Sequence, residues 1–302
     1  MAEIMFEEFR VPAFYIANSA VLSSFAAGKG SALVVDIGKS TASCTPVSDG
    51  FVLRKGMSYS ALPPLIHSTS YHLLATPSNN PNNPRPGISL LPHSLISSKS
   101  PVEMNKPPKS ILREDRIQGT TESWRAWAES CEVEEWVNGV SGVLENGWNE
   151  GSANTRQAKH YEFPSGFNTL FGPERYIPGE IYFNQSHLPP SSAIRPLTIP
   201  SLIANTLQAC DPDLRPVLLG NVVLTGGGSL LAGMSDRIFY ELSRTYPGHK
   251  VKLHAPGNPT ERRYSAWLGG SVLASLGTFH QLWISAEEWQ EHGKAIVGQR
   301  CK

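Results

Sequence analysis

One short stretch narrows what this chain can fold into more than any other. Asn221 to Thr225, with Val222, Val223 and Leu224 at its centre, runs straight into Gly226, Gly227, Gly228 and Ser229. Helical spacing of apolar side chains then resumes from Leu230 to Tyr246. A strand, a glycine turn and a helix in this order let the backbone approach a ligand closely and turn free amides toward it, which suits a phosphate or a nucleoside. The same glycines would serve a tight turn that needs positive φ, and spacing alone does not choose between the two. The chain reads as α/β.

The remaining segments supply partners for that unit. Apolar spacing from Val11 to Ala27 predicts a helix, broken by Gly28, Lys29 and Gly30 before a buried strand over Ala32 to Val35. A turn through Lys39 to Ser43 and a second strand over Thr45 to Leu53 make a hairpin with Asp36 near its tip. From about Pro63 to Pro108 the chain turns to Pro, Ser and Asn, a composition that predicts a surface loop without helix or central strand. Thr120 to Asn149 reads as a peripheral amphipathic helix or pair, and Tyr161 to Phe171 as a hairpin. Pro200 to Cys210 is predicted helical, Val251 to His254 a strand, Glu261 and Arg262 a loop, and Ser265 to Phe279 a final helix. There is no repeat of fixed period.

Charge and composition exclude several classes. Lys and Arg total 26 against 26 Asp and Glu, so no net field favours a polyanion and direct DNA binding is not expected. The four cysteines lie far apart and read as free thiols. The apolar run from Tyr15 to Ala27 follows Glu3, Glu7 and Glu8 rather than basic residues, and no run approaches the ~20 residues that cross a bilayer, so no membrane role is expected. The nine histidines include no pair at zinc-protease spacing, and no serine sits in a nucleophile elbow. The tryptophans from Trp124 to Trp136 stand in an acidic stretch, which favours core or partner contacts over stacking on nucleic acid.

Three candidate positions remain. Asp36, at a buried strand end before Gly38, could hold a metal ion through water beside a phosphate, or simply serve the hairpin turn. Arg263 could cover a base or pair on the surface. Val272, Leu273, Leu276 and Leu282 form an apolar stripe that suits either a core or a groove for a partner helix.

The run NVVLTGGGS from Asn221 to Ser229, followed by LLAGMSDRIFYEL and ERRYSAWLGGSVLASLGTFHQLWIS, resembles the C-terminal part of actin. MFEEFRVPAFYIANSAVLSSFAAGKGSALVVDIG resembles the middle of the actin chain, so the likeness leaves out only about Pro63 to Lys109. Within the family, YEFPSGFNTLFGPERYIPGEIYF, with SWRAWAE and SSKSPVE before it, is similar to the nuclear actin-related proteins of the fourth class. The resemblance implies a two-lobed α/β fold of the actin and Hsp70 ATPase type with nucleotide between the lobes. Its division would place 1–27 and 265–302 in a remnant of the first lobe, 28–62 and 195–264 in the inner part of the second, and 63–194 in the outer part.

Carried onto this sequence, the resemblance places Asp36 and Gly38 in the second phosphate loop, Gly226, Gly227 and Gly228 in the nucleoside turn, and Arg263 near the base. It also implies a partner groove made by Phe25, Gly28, Val272, Leu273, Leu276, Thr278 and Leu282. Ser19 stands where actin has its water-orienting glutamine, and Lys39 and Ser40 replace Asp and Gly in the second phosphate loop. Met1 falls where the family is well into its first lobe, so that lobe is expected to be incomplete and to lack the first phosphate hairpin. The expectation is a nuclear, non-catalytic scaffold of chromatin-remodelling and histone acetyltransferase complexes. Its expected partners are actin, the long helix of a scaffold subunit, and histones. No cofactor is expected in this chain, whereas full-length family members take ATP with a divalent cation. The alternative is an ATP-binding, filament-forming actin-like protein.

Overall fold

The computed structural model describes residues 1–78, 84–188 and 195–301. Its largest sheet has six strands: β1 (Ala32–Ile37), β2 (Ala42–Ser48), β3 (Phe51–Val52), β4 (Ser58–Ser60), β5 (Val222–Thr225) and β6 (Leu253–His254). They lie in the order β6-β5-β1-β2-β3, with β4 also paired to β2. β5 is parallel to both neighbours, whereas β1 and β2 form an antiparallel hairpin that sets Asp36 opposite Ser43. The longer helices are α1 (Ser19–Ala26), α2 (Pro63–Ala75), α3 (Glu122–Gly139), α4 (Ile199–Ala209), α5 (Met234–Thr245) and α6 (Ser265–Ala274).

The strand sequences explain why the sheet is covered on both faces. Successive side chains alternate across a sheet, and β1 is apolar at nearly every position, so neither of its faces can meet water. Leu33, Val35 and Ile37 join Val222 and Leu224 in a core with Leu202, Ile203 and Leu207 of α4 and Met234, Ile238 and Leu242 of α5. Ala32, Val34, Val47 and Val223 point the other way, onto Ala20 and Val21 of α1.

Several predicted boundaries move for identifiable reasons. The helix expected over Val11–Ala27 is confined to Ser19–Ala26, because the Asn18 side chain caps it by accepting from the Ala20 amide at 2.9 Å. Ahead of that cap, Ala13–Phe14 is drawn into antiparallel pairing with Ile284–Ser285, which brings the two ends of the chain together. There Phe6 stacks on Trp289 with ring centroids 5.0 Å apart. The second hairpin strand breaks at Asp49 and Gly50, both at positive φ. The loop expected at Glu261 and Arg262 is a short helix, Pro259–Arg263, capped by Asn258.

The largest correction concerns the Pro-rich segment. Thirteen residues of it, Pro63–Ala75, form α2. Both prolines open the helix, where no intrahelical partner awaits their missing amides, so they favour it rather than break it. Ile66 and Leu74 then give it a buried face. Further on, Ile96–Ser100 pairs with Lys109–Leu112 in a two-stranded ribbon. The Asn-rich stretch at 79–83 lies outside the described residues. α2 and α3 frame a second core in which Leu74, Leu90, Val133 and Trp136 meet Phe163, Phe167 and Phe171. The hairpin carrying those phenylalanines pairs Lys159–Glu162 with Asn168–Phe171. No helix among the described residues is long and apolar enough to cross a membrane.

Candidate functional site

The glycine turn and the β1–β2 hairpin tip are built against each other. Gly226 sits at φ +89, and a Cβ there would collide with Asp36 Oδ1 and the Ile37 carbonyl. At Gly228 a Cβ would lie 2.7 Å from Ile37 Cγ2 and 3.2 Å from the Tyr182 hydroxyl. The turn thus needs both positive φ and close backbone approach. Behind it, the Gly226 amide and the Thr225 hydroxyl both donate to the Arg262 carbonyl, at 3.1 and 2.8 Å. The buried Arg262 guanidinium donates in turn to the Ser229 carbonyl at 2.8 Å and the Pro256 carbonyl at 3.1 Å. Helix 259–263 is thereby fastened beneath the turn, and the next side chain, Arg263, is left exposed beside Gly227.

These elements wall one side of a cleft of about 620 Å³. Gly38, Lys39, Gly227, Gly228 and Arg263 face His67 of α2 and Glu134 of α3 across it. Of the residues predicted for ligand binding, Gly38, Gly227, Gly228 and Arg263 line this space. Asp36, half-buried, and Gly226 lie against each other beside it. Burial pushes the Asp36 carboxyl above its ordinary value. Lys39 Nζ reaches across the cleft to Glu134 Oε2 at 2.7 Å, and His67 Nε2 lies 3.1 Å from the Ser130 carbonyl. Glu134, His67 and Tyr182 were missed from sequence, since a glutamate in an acidic helix and a histidine in a Pro-rich stretch carry no local signal of a cleft. Ser19 is exposed at the start of α1 and does not line the cleft.

The wall that carries the glycine turn suits a phosphate. Two cationic side chains and a close-approach glycine turn are complementary to a phosphate group. No group of three or more His, Cys, Asp or Glu side chains that could hold a metal ion occurs among the described residues. Asp36 is turned to Gly226, and Glu134 is engaged by Lys39.

A second hollow, of about 370 Å³, lies where α1 meets the C-terminal segment. Of the predicted groove residues it gathers Phe25, Leu273 and Leu282, together with Tyr15, Val21 and Phe51. Gly28, Val272, Leu276 and Thr278 do not line it. Val272 and Leu276 nevertheless stand exposed on the same stretch, Leu276 by 50%. Phe51 was not anticipated. It follows the Asp49–Gly50 break, and a Cβ on Gly50 would lie 3.4 Å from the Phe25 ring.

The family model for actin matches residues 1–302. The chain is 45% identical over 325 residues to actin-related protein 4 of Emericella nidulans, covering 99% of this chain and 66% of that protein. It is 39% identical over 345 residues to actin-related protein 4 of Mycosarcoma maydis, covering 100% of this chain and 63% of that protein. A Schizosaccharomyces pombe protein named as a subunit of the SWI/SNF and RSC complexes, arp42, is 34% identical over 320 residues, with 99% of this chain and 73% of that protein covered. The chain therefore spans about two thirds of the length of the actin-related protein 4 relatives from these two fungi. With a mixed α/β fold built around the paired glycine turns and a match along its whole length, the chain belongs to the actin family.

Proposed function

We propose that this chain is an actin-related subunit of a chromatin-modifying complex, acting in the nucleus as a non-catalytic scaffold that takes a partner helix together with actin. The observation that carries the reading is the apolar groove at Phe25, Phe51, Leu273 and Leu282, flanked by the exposed Val272 and Leu276. A helix lays an apolar face into such a groove through side chains three and four residues apart. The similarity to a protein named as a subunit of SWI/SNF and RSC supports the setting. In this reading residues 1–27 with 265–302, joined by Phe51, supply the groove, 28–62 with 195–264 supply the glycine turn and the hairpin tip, and 63–194 belong to the outer part. Histones remain further candidate partners of the assembled complex.

The same proposal gives the chain no ATP hydrolysis. Ser19 has a short hydroxyl outside the cleft, and Lys39 brings a cation rather than a carboxylate to the hairpin tip. Binding of the purified chain to the long pre-ATPase helix of a remodeller, measured by pull-down, tests the scaffold role. Leu276→Asp places a charge in the contact without disturbing the core, so it should abolish capture and leave the thermal midpoint unchanged. Undiminished capture by that variant would move the contact elsewhere.

A further inference from the structure

We propose that Ser100 is a phosphorylation site for a proline-directed protein kinase, and that its phosphate is received by Lys109, which stands directly across the two-stranded ribbon from it. This goes beyond the scaffold reading and does not depend on the groove.

A proline-directed kinase takes a serine or threonine followed by proline, in extended backbone that it can reach from solvent. The sequence contains three such pairs, Thr45-Pro46, Thr76-Pro77 and Ser100-Pro101. Thr45 is 3% exposed inside β2 and out of reach. Thr76 is exposed, but its carbonyl accepts from the Arg85 guanidinium, and Ser78 just beyond it is bridged to Arg85. Drawing Thr76 into an enzyme would therefore uncover an arginine that is itself 4% exposed. Ser100 carries no such restraint. It and Pro101 are exposed, and it is the last residue of its strand, so only the end pair of the ribbon must open to release it. Pro101 also keeps Ser100 in extended backbone, because its ring crowds the residue before it out of the helical region.

The opposite strand supplies the counter-charge. Ser100 is paired with Lys109, and residues directly opposite in an antiparallel ribbon set their Cβ atoms about 5 Å apart on one face. Lys99 lies on the other face, with its ammonium on Glu162 at 2.6 Å. Lys109 is exposed and belongs to no ion pair among the described residues. The loop between the two strands is tied down, since Asn168 Nδ2 donates to the Val102 carbonyl at 3.1 Å and the Asn105 amide to the Asn168 carbonyl at 3.0 Å. The register of Ser100 against Lys109 is thereby held at the ribbon's end.

In the modification, the γ-phosphoryl group of ATP passes to Ser100 Oγ. The bond from phosphorus to the bridging oxygen of ADP breaks, a bond from phosphorus to Oγ forms, and the hydroxyl proton leaves to the kinase's base. A phosphoserine brings close to two negative charges and three strong acceptor oxygens. The Lys109 ammonium can then donate to them as a charge-assisted partner. The ribbon's end changes from a free cation to a closed pair with net negative charge.

Treating the whole chain with a mitogen-activated kinase and, separately, a cyclin-dependent kinase, each with magnesium and ATP, tests the site when the products are mapped by mass spectrometry. At least one kinase should label Ser100. Ser100→Ala should abolish that label and Pro101→Ala should remove most of it. In phosphorus NMR the phosphate should titrate about 0.3 pH lower in the wild type than in Lys109→Ala, because the ammonium favours the dianion. All three positions are exposed, so the variants should keep the wild-type thermal midpoint. The proposal is overturned if neither kinase labels the folded chain, including when a free peptide of the same segment is labelled, or if the label goes to Thr76 instead. An identical titration in Lys109→Ala would overturn the part given to Lys109.

Discussion

Arg237 and Glu180 meet as a bidentate pair, Nη1 to Oε2 and Nη2 to Oε1 each at 2.8 Å, with the arginine 3% and the glutamate 1% exposed. The same guanidinium donates to the Leu144 carbonyl at 3.1 Å and to Glu241 at 2.8 Å, and lies over the Phe183 ring. Helix α5, which follows the glycine turn, is thereby joined to the segments at 144 and 177–183 that carry Tyr182 into the cleft. Glu180→Ala would leave a buried charge with half its partners gone. Urea denaturation should show a loss of about 3–5 kcal/mol. The paired change Glu180→Leu with Arg237→Met, which leaves no charge behind, should cost less than Glu180→Ala alone. A loss below about 1 kcal/mol for Glu180→Ala would mean that the pair does not hold these elements together.

Much of this architecture was legible because it depends on local pattern. The β1 and β5 strands, the glycine turn between β5 and α5, the hairpin at Tyr161 to Phe171 and helix α4 all follow from apolar runs and their breaks. Helix α2 was hidden because Pro63 and Pro64 count against a helix unless they open it. The cleft was half legible: Gly38, Gly227, Gly228 and Arg263 lie on the strand-turn units that sequence reveals. Its opposite wall comes from α2 and α3, brought in by the packing of Leu74, Val133 and Trp136, and no spacing in the chain announces that Lys39 will meet Glu134. Asp36 was legible as a strand-end residue beside the turn, but its close packing against Gly226 was not, since the surroundings of a side chain at a strand end depend on the strand beside it.

Glu132 makes stability depend on pH. Its carboxylate is buried at 6% exposure on α3, and neither oxygen has a well-formed hydrogen bond. Burial pushes its pKa up to about 7, reinforced by Glu129 and Glu135, while the Leu91 amide pulls the other way. A folded-state value above the ordinary carboxylate range means that the folded form holds a proton which the unfolded chain releases. Stability should therefore be greatest below about pH 4.5 as far as this group is concerned, and fall as pH rises toward 7. Denaturation midpoints between pH 5 and pH 8 should decline for the wild type and decline less for Glu132→Gln. Equal slopes in the two proteins would remove Glu132 as the cause.

Gly269 sets the approach of α6 to α1. A Cβ at this position would fall within the Leu22 backbone carbonyl, so a methyl group can be admitted only by moving the helices apart. Gly269→Ala should lower stability by about 1–3 kcal/mol despite the better helix propensity of alanine. Because Phe25 rides on α1 and Leu273 on α6, the same variant should weaken capture of a helix in the groove. A stabilised Gly269→Ala protein would show that the two helices are free to adjust.

At the glycine turn, Gly226→Ala combines strain at φ +89 with a clash against Asp36 and Ile37. It should unfold at distinctly lower urea than the wild type, whereas Gly248→Ala, at a position with open space around it, should change the midpoint little. Similar behaviour of the two variants would show that the turns do not depend on their close contact.

The most direct test of the scaffold account is a pull-down of the purified chain on the long helix that precedes a remodeller's ATPase, with and without actin. The account predicts a stoichiometric complex that actin strengthens and that Leu276→Asp abolishes without lowering the thermal midpoint. Soluble, folded chain that fails to bind the helix in either condition would contradict it.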